Sequence, residues 1–429
     1  MNRFRLSARR TFQSLHDSRN FRLYFFGQVI SASGTWINAT ASAWLVLRLT
    51  DSGVALGVNV ALLFLPILIF GAWGGVLADR FDKRRILVWT QTAFAVTAFL
   101  MFLVASVHPR LWMVFVLSTV AGLVTAIDNP TRQSFYVEIV GERSVMNAVS
   151  LNSAAFTGAR IIGPAIAGVM IVTFNSLSIC FLVDGISYLA VITALLMMRT
   201  SELHPQARTT RESGFLKAGI QYVWRTDELR RPLILMTGVF TISFNFAVLL
   251  PLLASAKFDG NADALGLLSA MVGVGSLIGA LTVANRDRTP TLHRLAILSV
   301  ATGVALAIAG VAPTLVLAAA AMVPVGFTVM AFMITGNTTL QLHARPQARG
   351  RVMALYGVVF LGSTPIGAPL AGWIGERFSP GIALVVGGAA AALFGLLVLW
   401  QKERASATVS ELEQPPEHVP GAENASLTA

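Results

Sequence analysis

Residues 385–398 read VVGGAAAALFGLLV, a run without a charged or polar side chain. Residues 316–323, VLAAAAMV, form a second run that is apolar on every side. A membrane β-strand would alternate apolar and polar residues over about ten positions, so runs of this kind predict helices. A helix needs about 20 apolar residues to cross the hydrocarbon core of a bilayer. These stretches therefore predict membrane-spanning helices.

The composition extends this prediction to the whole chain. Apolar residues make up 55% of the 429 residues and charged residues only 12%, whereas soluble domains carry about 25% charged residues. Apolar stretches of spanning length lie at residues 22–48, 53–78, 85–107, 111–133, 146–172, 177–198, 232–256, 262–284, 293–312, 314–341, 350–376 and 380–400. We expect an all-α integral membrane protein with about twelve transmembrane helices.

The net charge of +11 raises the question of nucleic-acid binding. The basic residues, however, collect on one side of the alternating spans. The exceptions are Arg48, Arg110, Lys257 and Arg377 on the other side and Arg160 within a span. Cytoplasmic loops of membrane proteins carry such an excess of Lys and Arg. We therefore expect a multi-pass protein of a bacterial inner membrane with both termini in the cytoplasm, the lipid bilayer as a partner and no nucleic-acid partner.

The longest polar stretch divides the chain into two similar halves. The expected parts are a basic N-terminal arm at 1–21, a six-helix bundle at 22–198, a cytoplasmic central loop at 199–231, a second six-helix bundle at 232–400 and a disordered cytoplasmic tail at 401–429. A constant shift along the sequence places Leu151, Gly158, Gly163 and Gly168 on Leu355, Gly362, Gly367 and Gly372. Parallel six-helix repeats are a transporter architecture with the substrate path between the halves.

Residues 75–85 read GVLADRFDKRR, in which Asp79 follows Gly75 by four positions and a basic turn comes next. This segment resembles the conserved loop motif of the major facilitator superfamily, although Asp82 stands where the motif usually has a second glycine. A glycine at a helix end lets another helix approach, and an aspartate can cap a helix or pair with an arginine. Any short inner-membrane loop is also basic. The resemblance implies gating roles for Gly75, Asp79, Arg80 and Arg84.

Residues 158–168, GARIIGPAIAG, are similar to the fifth-helix motif that the superfamily associates with antiporters. Gly163 and Pro164 permit a bend and close packing, which a helix-packing groove would explain equally well. Such a groove does not explain Arg160. A charge inside a span costs about 2.5 to 3.5 kcal/mol on insertion scales and normally has a partner. The candidate partners are Asp128 and Asp184, and both an ion pair and a direct contact with an anionic substrate or proton relay remain open.

Residues 128–133, DNPTRQ, resemble the junction of the fourth and fifth helices in the transmembrane secretion effectors, a branch that includes the enterobactin exporters. Together with Asn152, Arg160 and the Gly163–Pro164 pair, the resemblance covers the whole set of spans. It implies the two-bundle fold of the superfamily, export as the activity, and gating roles for Asp128, Arg132, Gly163 and Pro164.

Polar stripes predict the substrate site. In the first span, Gln28, Ser31, Thr35, Asn38 and Ser42 recur at steps of three and four, which places them on one helix face. The residues expected to contact substrate are Gln28, Thr35, Asn38, Asn152, Thr241, Phe244, Asn245 and Asn337. Polar groups beside aromatic rings suit amphipathic ligands. Hydrogen bonding between helices, worth about 0.6 to 2 kcal/mol per contact, is the alternative for each residue.

The remaining motifs exclude other classes of function. Cys180 is the only cysteine, so no intramolecular disulfide can form. Gly273, Gly275 and Gly279 lie in an apolar span with no strand before them, so helix packing explains them better than a dinucleotide site. The sequence contains no phosphate-binding loop. We expect no enzyme activity, no cofactor and no metal site.

The leading hypothesis is a secondary transporter that exports small amphipathic molecules (a siderophore, drug or secondary metabolite) by alternating access. Protons are the expected coupling ion, with Asp128, Arg160 and Asp184 as the relay, because exclusion of water and nearby charges both alter how readily a carboxyl group binds a proton. An outer-membrane export route is a further expected partner. An ion-coupled nutrient importer and a non-transporting receptor or assembly subunit are the alternatives, since fold does not fix function.

Overall fold

The computed structural model describes residues 13–141, 144–204, 215–258, 262–285, 290–345 and 348–413. In these ranges the chain is helical and forms no strand. The long helices are α1 (Arg19–Thr50), α2 (Gly53–Arg80), α3 (Lys83–Ser106), α4 (Leu111–Val140), α5 (Val145–Phe174), α6 (Ser178–Leu196), α7 (Asp227–Lys257), α8 (Ala262–Ala284), α9 (Leu292–Val311), α10 (Leu315–His343), α11 (Arg349–Arg377) and α12 (Pro380–Glu413).

The expected fold class is confirmed. Among the described helices, eleven are long and apolar enough to cross a membrane. The twelfth is α1, whose polar residues lower its hydropathy but which packs along α5 and α6 like the others. In the N-terminal half α3 also packs on α4 and α6, and α2 packs on α4. In the C-terminal half α12 packs on α7 and α9, and α10 packs on α8 and α9.

Local sequence explains where several helices begin. Ser52, Asp82 and Thr314 precede α2, α3 and α10, and each side-chain oxygen accepts a hydrogen bond from a backbone N–H in the first turn. Asp51 and Asn175, which follow α1 and α5, adopt positive φ values of 47° and 48°. Asp and Asn tolerate this left-handed conformation better than most residues, so the two helices can end in tight turns.

Two long helices are interrupted. Helix α7 consists of Asp227–Ser243, Phe246–Leu252 and the π-turn Leu253–Lys257, and α11 consists of Arg349–Gly362 and Thr364–Arg377. A separate short helix, Phe215–Trp224, lies within the stretch expected to form the central loop. It packs on the start of α11.

The ends of the chain extend the bundle. The short helix Gln13–Asp17 lies within the expected arm, and the N–H of Ser14 donates to Asn147 at the start of α5. Helix α12 continues to Glu413, although a disordered tail was expected from residue 401. Residues 401–413 contain no Gly or Pro that would end the helix. Residues 1–12 and 414–429, and thus most of the expected arm and tail, lie outside the described residues.

The halves meet along two seams, α2 with α11 and α5 with α8. A Cβ added to Gly372 of α11 would collide with the carbonyl oxygen of Gly53, and one added to Gly168 of α5 would stand 2.9 Å from that of Ala262. We call the end that contains these contacts the closed end. Away from these contacts, Gly158 in the middle of α5 and Gly357 in the first half of α11 have no atom within 4 Å of an added Cβ. We call the end opposite the closed end the open end.

Candidate functional site

A polar cavity of about 150 Å³ lies in the open-end half of the N-terminal bundle, between α1, α4 and α5. It is lined by Gln28, Ala32, Asn129, Arg132, Gln133, Tyr136, Asn152, Ala155 and Phe156. Gln28 and Asn152 are predicted substrate residues, and Arg132 is a predicted gating residue. Asn129 and Gln133 were not singled out, although they lie four residues apart within DNPTRQ and so share a helix face. Carboxamides, a guanidinium and an aromatic ring together can hold an amphipathic molecule.

Asp128 and Arg132 form a buried ion pair beside this cavity. Asp128 is only 1% exposed, and its Oδ2 accepts from the guanidinium of Arg132 one helical turn away. Its Oδ1 accepts from Thr90 Oγ1 at 2.7 Å and from Gln91 Nε2 at 2.8 Å, both on α3. Arg132 in turn donates to Gln28 Oε1 on α1. The pair therefore ties three helices together, and both carboxylate oxygens have partners.

Spare hydrogen-bonding capacity surrounds the pair. The hydroxyl groups of Tyr24 and Tyr136, Nε2 of Gln28 and Oε1 of Gln91 are buried and have no protein partner among the described residues. Buried polar groups in proteins are normally satisfied by protein or water. These atoms can therefore bind water or the polar part of a ligand next to the Asp128–Arg132 pair.

Arg160 does not have the expected acidic partner. Its guanidinium lies over the ring of Trp36, 5.5 Å from the centroid, and it belongs to no ion pair in the described part of the chain. The expected pairing with Asp128 or Asp184 is wrong because Asp128 is already bonded to Arg132, and Asp184 lies between α1 and α6. A cation–π contact replaces the ion pair, and such a contact is worth more when shielded from water.

Asp184 lies at the centre of a second polar cluster, between α6 and α1. It is 1% exposed, and its Oδ2 accepts from Asn38 Nδ2 at 2.7 Å. Asn38 Oδ1 accepts from Ser42 Oγ at 2.9 Å. Thr35 Oγ1 and the hydroxyl of Tyr188 are 3.2 Å apart. The predicted polar face of α1 therefore faces α4 and α6 and bonds to both.

The basic loop after α2 makes its contacts within the N-terminal half. Lys83 pairs with Glu138 of α4, and Asp82 caps α3 through the N–H of Arg85 at 2.8 Å. Arg84 donates to the carbonyl of Leu195 at 2.6 Å and so caps the end of α6.

Asp79 and Arg80, by contrast, are in none of the ion pairs of the described residues. They lie at the open end, close to the end of α2. The neighbouring Gly74 is a point of close approach between α2 and α4, since an added Cβ would collide with the carbonyl oxygen of Ala126. In the sequence, the two adjacent glycines Gly74 and Gly75 could have indicated this close approach. Gating roles in this loop stay predictions.

The Gly163–Pro164 motif lies between the halves. A Cβ on Gly163 would stand 2.5 Å from Cβ of Trp36, so α1 and α5 touch here. A Cβ on Gly266 of α8 would stand 3.0 Å from the carbonyl oxygen of Pro164. The motif thus provides close packing on both sides of α5, and its role in gating stays a prediction.

In the C-terminal half, Asn245 stabilises the break in α7. Its Nδ2 donates to the carbonyl of Thr241 at 2.9 Å, one of the acceptors that the interruption leaves without an i+4 partner. Gly367 of α11 is packed against both residues, since an added Cβ would be 2.9 Å from Asn245 Oδ1. The amide that we expected to contact substrate is therefore engaged within the protein.

The other predicted substrate residues of this half lie near an aromatic cluster. Phe244 packs on Phe240 and Phe332, with ring centroids 5.2 and 5.9 Å apart. Asn337 accepts from Gln341 and lies beside Tyr356, which stacks on Phe360. Rings from α7, α10 and α11 thus form an apolar surface with Asn337 beside it.

A carboxylate bridges the halves at the closed end. Oε2 of Glu376, near the end of α11, accepts from Ser52 Oγ at 2.7 Å and from the N–H of Val54 at 3.0 Å. Both donors belong to the N-terminus of α2, where the helix dipole favours a negative charge. Sequence reasoning missed Glu376, because a single exposed acid at a helix end has no local signal for a partner in the other half.

Two helical bundles that meet at one end, with a polar cavity at the other, define a membrane transporter of the major facilitator type. The chain belongs to the transmembrane secretion effector family, which matches residues 11–426.

Characterised relatives and solved structures agree with this class. The staphyloferrin A transporter of Staphylococcus aureus is 28% identical over 61% of this chain and 66% of its own length. The multidrug efflux pump Tap of Mycolicibacterium fortuitum is 26% identical over 82% of this chain and 88% of its own length. The enterobactin exporter EntS of Salmonella choleraesuis is 23% identical over 88% of this chain and 91% of its own length. A crystal structure of a mutant nucleoside transporter NupG aligns with a TM-score of 0.71 at 14% identity over 89% of this chain and 98% of that one.

Proposed function

We propose that the protein exports small amphipathic molecules across the bacterial inner membrane by alternating access, with proton entry as the energy source. The excess of basic residues in the open-end loops supports an orientation in which the open end and both termini face the cytoplasm. In that orientation the cavity at Gln28, Arg132 and Asn152 takes up its substrate from the cytoplasm.

The observation that carries this proposal is the chemistry of the cavity. Its carboxamides and guanidinium supply polar contacts, and Phe156 and Tyr136 supply apolar surface. Across the central space, Phe244, Thr241 and Asn337 of the C-terminal half are the proposed second wall. The names of the relatives support the substrate class, since they include two siderophore transporters and a multidrug pump.

The same contacts suggest how the states alternate. The halves now touch at Gly53 and Gly372 and are bridged by Glu376. Rocking would separate this closed end and bring the open ends together, where Asp79 and Arg80 are available for contacts with the other half. Release on the far side would deliver the substrate to an outer-membrane export route.

Uptake into inside-out vesicles tests the proposal. With enterobactin and the dye ethidium as probes, vesicles acidified inside should accumulate at least one probe, and a proton uncoupler should abolish accumulation. Asn152→Ala should raise the KM about tenfold, since an uncompensated polar contact costs about 1 to 2 kcal/mol. The matched control is Asn285→Ala, an exposed residue just beyond α8. Accumulation in right-side-out vesicles instead would establish import and refute the proposed direction.

A further inference from the structure

Asp184 is a buried acidic residue with one carboxylate oxygen that accepts no hydrogen bond from the described residues. One oxygen, Oδ2, accepts from Asn38, whereas the other, Oδ1, has no hydrogen-bond partner in the described structure although the residue is 1% exposed. Gly34 of α1 packs closely on this group, since an added Cβ would stand 2.3 Å from Ser187 Oγ and 2.8 Å from Oδ1. An acceptor in such a place needs a ligand that donates.

Within the described part of the chain, Asp184 belongs to no ion pair, and the helices packed on it present neutral groups to the carboxyl. At this level α1 presents Thr35 and Asn38, and α3 presents the ring of Phe99 next to Gly185. The one charged residue of α5 lies over Trp36. On α6 itself the neighbouring titratable group is Tyr188.

Asp128 and Asp184 therefore differ in how far neighbouring groups compensate a negative charge on the carboxylate. Asp128 has an arginine on one oxygen and two donors on the other. An ionised Asp184 would be a buried charge with only neutral polar neighbours, the amide of Asn38 and the hydroxyl of Ser187, and such a charge is costly unless it is neutralised. A bound proton removes this charge.

A metal cation fits less well. Hard cations such as Ca²⁺ and Mg²⁺ take about six or more oxygen ligands. Near Asp184 the other oxygens are already engaged: Asn38 Oδ1 accepts from Ser42, and Ser187 Oγ donates to the backbone carbonyl of Asp184. One free carboxylate oxygen is enough for a proton only.

We infer that Asp184, held by Asn38 and packed against Gly34, is the binding site of the coupling proton, and that Asp128 is not. This inference rests on the proposed function. Water from the central space can approach through Thr35, which is exposed and bonds to Tyr188. Helix α1 connects the sites, because Asn38 contacts Asp184 and Gln28 on the same helix face contacts Arg132. Proton binding thus changes a contact of the helix that also lines the cavity.

Proteoliposomes with a reconstituted full-length chain test the inference. A gradient of about one pH unit supplies up to about tenfold accumulation per coupled proton, and substrate counterflow without a gradient measures exchange alone. In Asp184→Asn, whose side chain resembles the protonated acid, gradient-driven accumulation should fall to the equilibrium level while counterflow continues at a reduced rate. Asp184→Glu should recover part of the coupling. The control Asp17→Asn changes an exposed acid and should behave as the wild type.

The outcomes separate this inference from the proposed function. Wild type without gradient-driven transport of either probe, enterobactin or ethidium, would refute both. Wild type that is coupled together with an equally coupled Asp184→Asn would refute the inference alone. A wild type driven by sodium instead of protons would also overturn it. Loss of proton release on probe addition in Asp184→Asn, read with an internal pH dye, would support it.

Discussion

Gly57→Ala should shift the protein away from the state described here. Gly57 lies on α2 at the seam with α11, and a Cβ added to it would stand 2.5 Å from the carbonyl oxygen of Ala368 and 2.6 Å from Cα of Pro369. Ordinary Cβ contacts begin at 3.4 Å, so the backbone of α11 must move by about 0.9 Å. Both obstacles are backbone atoms and cannot rotate away.

The size of the effect follows from the cost of overpacking. Forcing an extra methyl group into a tight contact costs about 1 to 3 kcal/mol, and only while the seam is closed. This corresponds to a shift of about 5- to 150-fold in the ratio of the two states. Alanine also has a higher helix propensity than glycine, but that gain is the same in both states and cancels.

Cysteine labelling can measure this shift, since the chain has one cysteine, Cys180, which is buried and can be replaced by alanine. Ala371 is 5% exposed and lies on the same face of α11 as Ala368, whereas Ser153 is exposed at the open end. In the Gly57→Ala background, the labelling of Ala371→Cys should speed up and that of Ser153→Cys should slow down.

Gly158→Ala is the matched control, because nothing lies within 4 Å of an added Cβ. It should leave the labelling of Ala371→Cys unchanged or slower. Unaltered labelling at both reporters in Gly57→Ala, or changes of the opposite sign, would show that the α2–α11 seam does not separate during the cycle.

Three further outcomes can be checked independently. Asp128→Asn leaves the charge of Arg132 without its partner, so the free energy of unfolding should fall by about 3 kcal/mol, seen as a lower Tm in detergent; an unchanged Tm would contradict the structural role. Asn245→Leu removes the donor to the carbonyl of Thr241 and should cost about 1 to 2 kcal/mol of stability with little change in KM; a large rise in KM at unchanged Tm would restore the substrate role. Glu376→Gln weakens an exposed charge-assisted contact worth about 0.5 kcal/mol, so closed-end labelling should rise about twofold, and less at high salt.

The helices could be predicted from the sequence because the bilayer sets both their length and their apolar character. The grouping into two halves followed from the long polar stretch and from the repeat that aligns Gly163 with Gly367. The interruption of α7 could not be predicted, since residues 241–246 contain neither Gly nor Pro. It depends on Asn245, which bonds to Thr241, and on the approach of Gly367 from another helix.

Partners of polar groups were harder to predict than their positions. The period of three and four placed Gln28 and Asn38 on one face of α1, but it did not tell which helices that face meets. Asp128 was considered as one of two candidate partners of Arg160, although Arg132 lies four residues away, the spacing at which charges on a helix pair. Local spacing should therefore be considered before distant partners when a buried charge is matched.

The interruption of α7 has a consequence for how the transporter can move. The segment Phe246–Leu252 contacts α1 and α2 of the opposite half, whereas Asp227–Ser243 packs within its own half on α12, α10 and α11. A straight helix would have to leave one of these sets of neighbours when the halves rotate. With a joint at Phe244 and Asn245, the two pieces of α7 can tilt by different amounts, so the transition need not be that of two undeformable blocks.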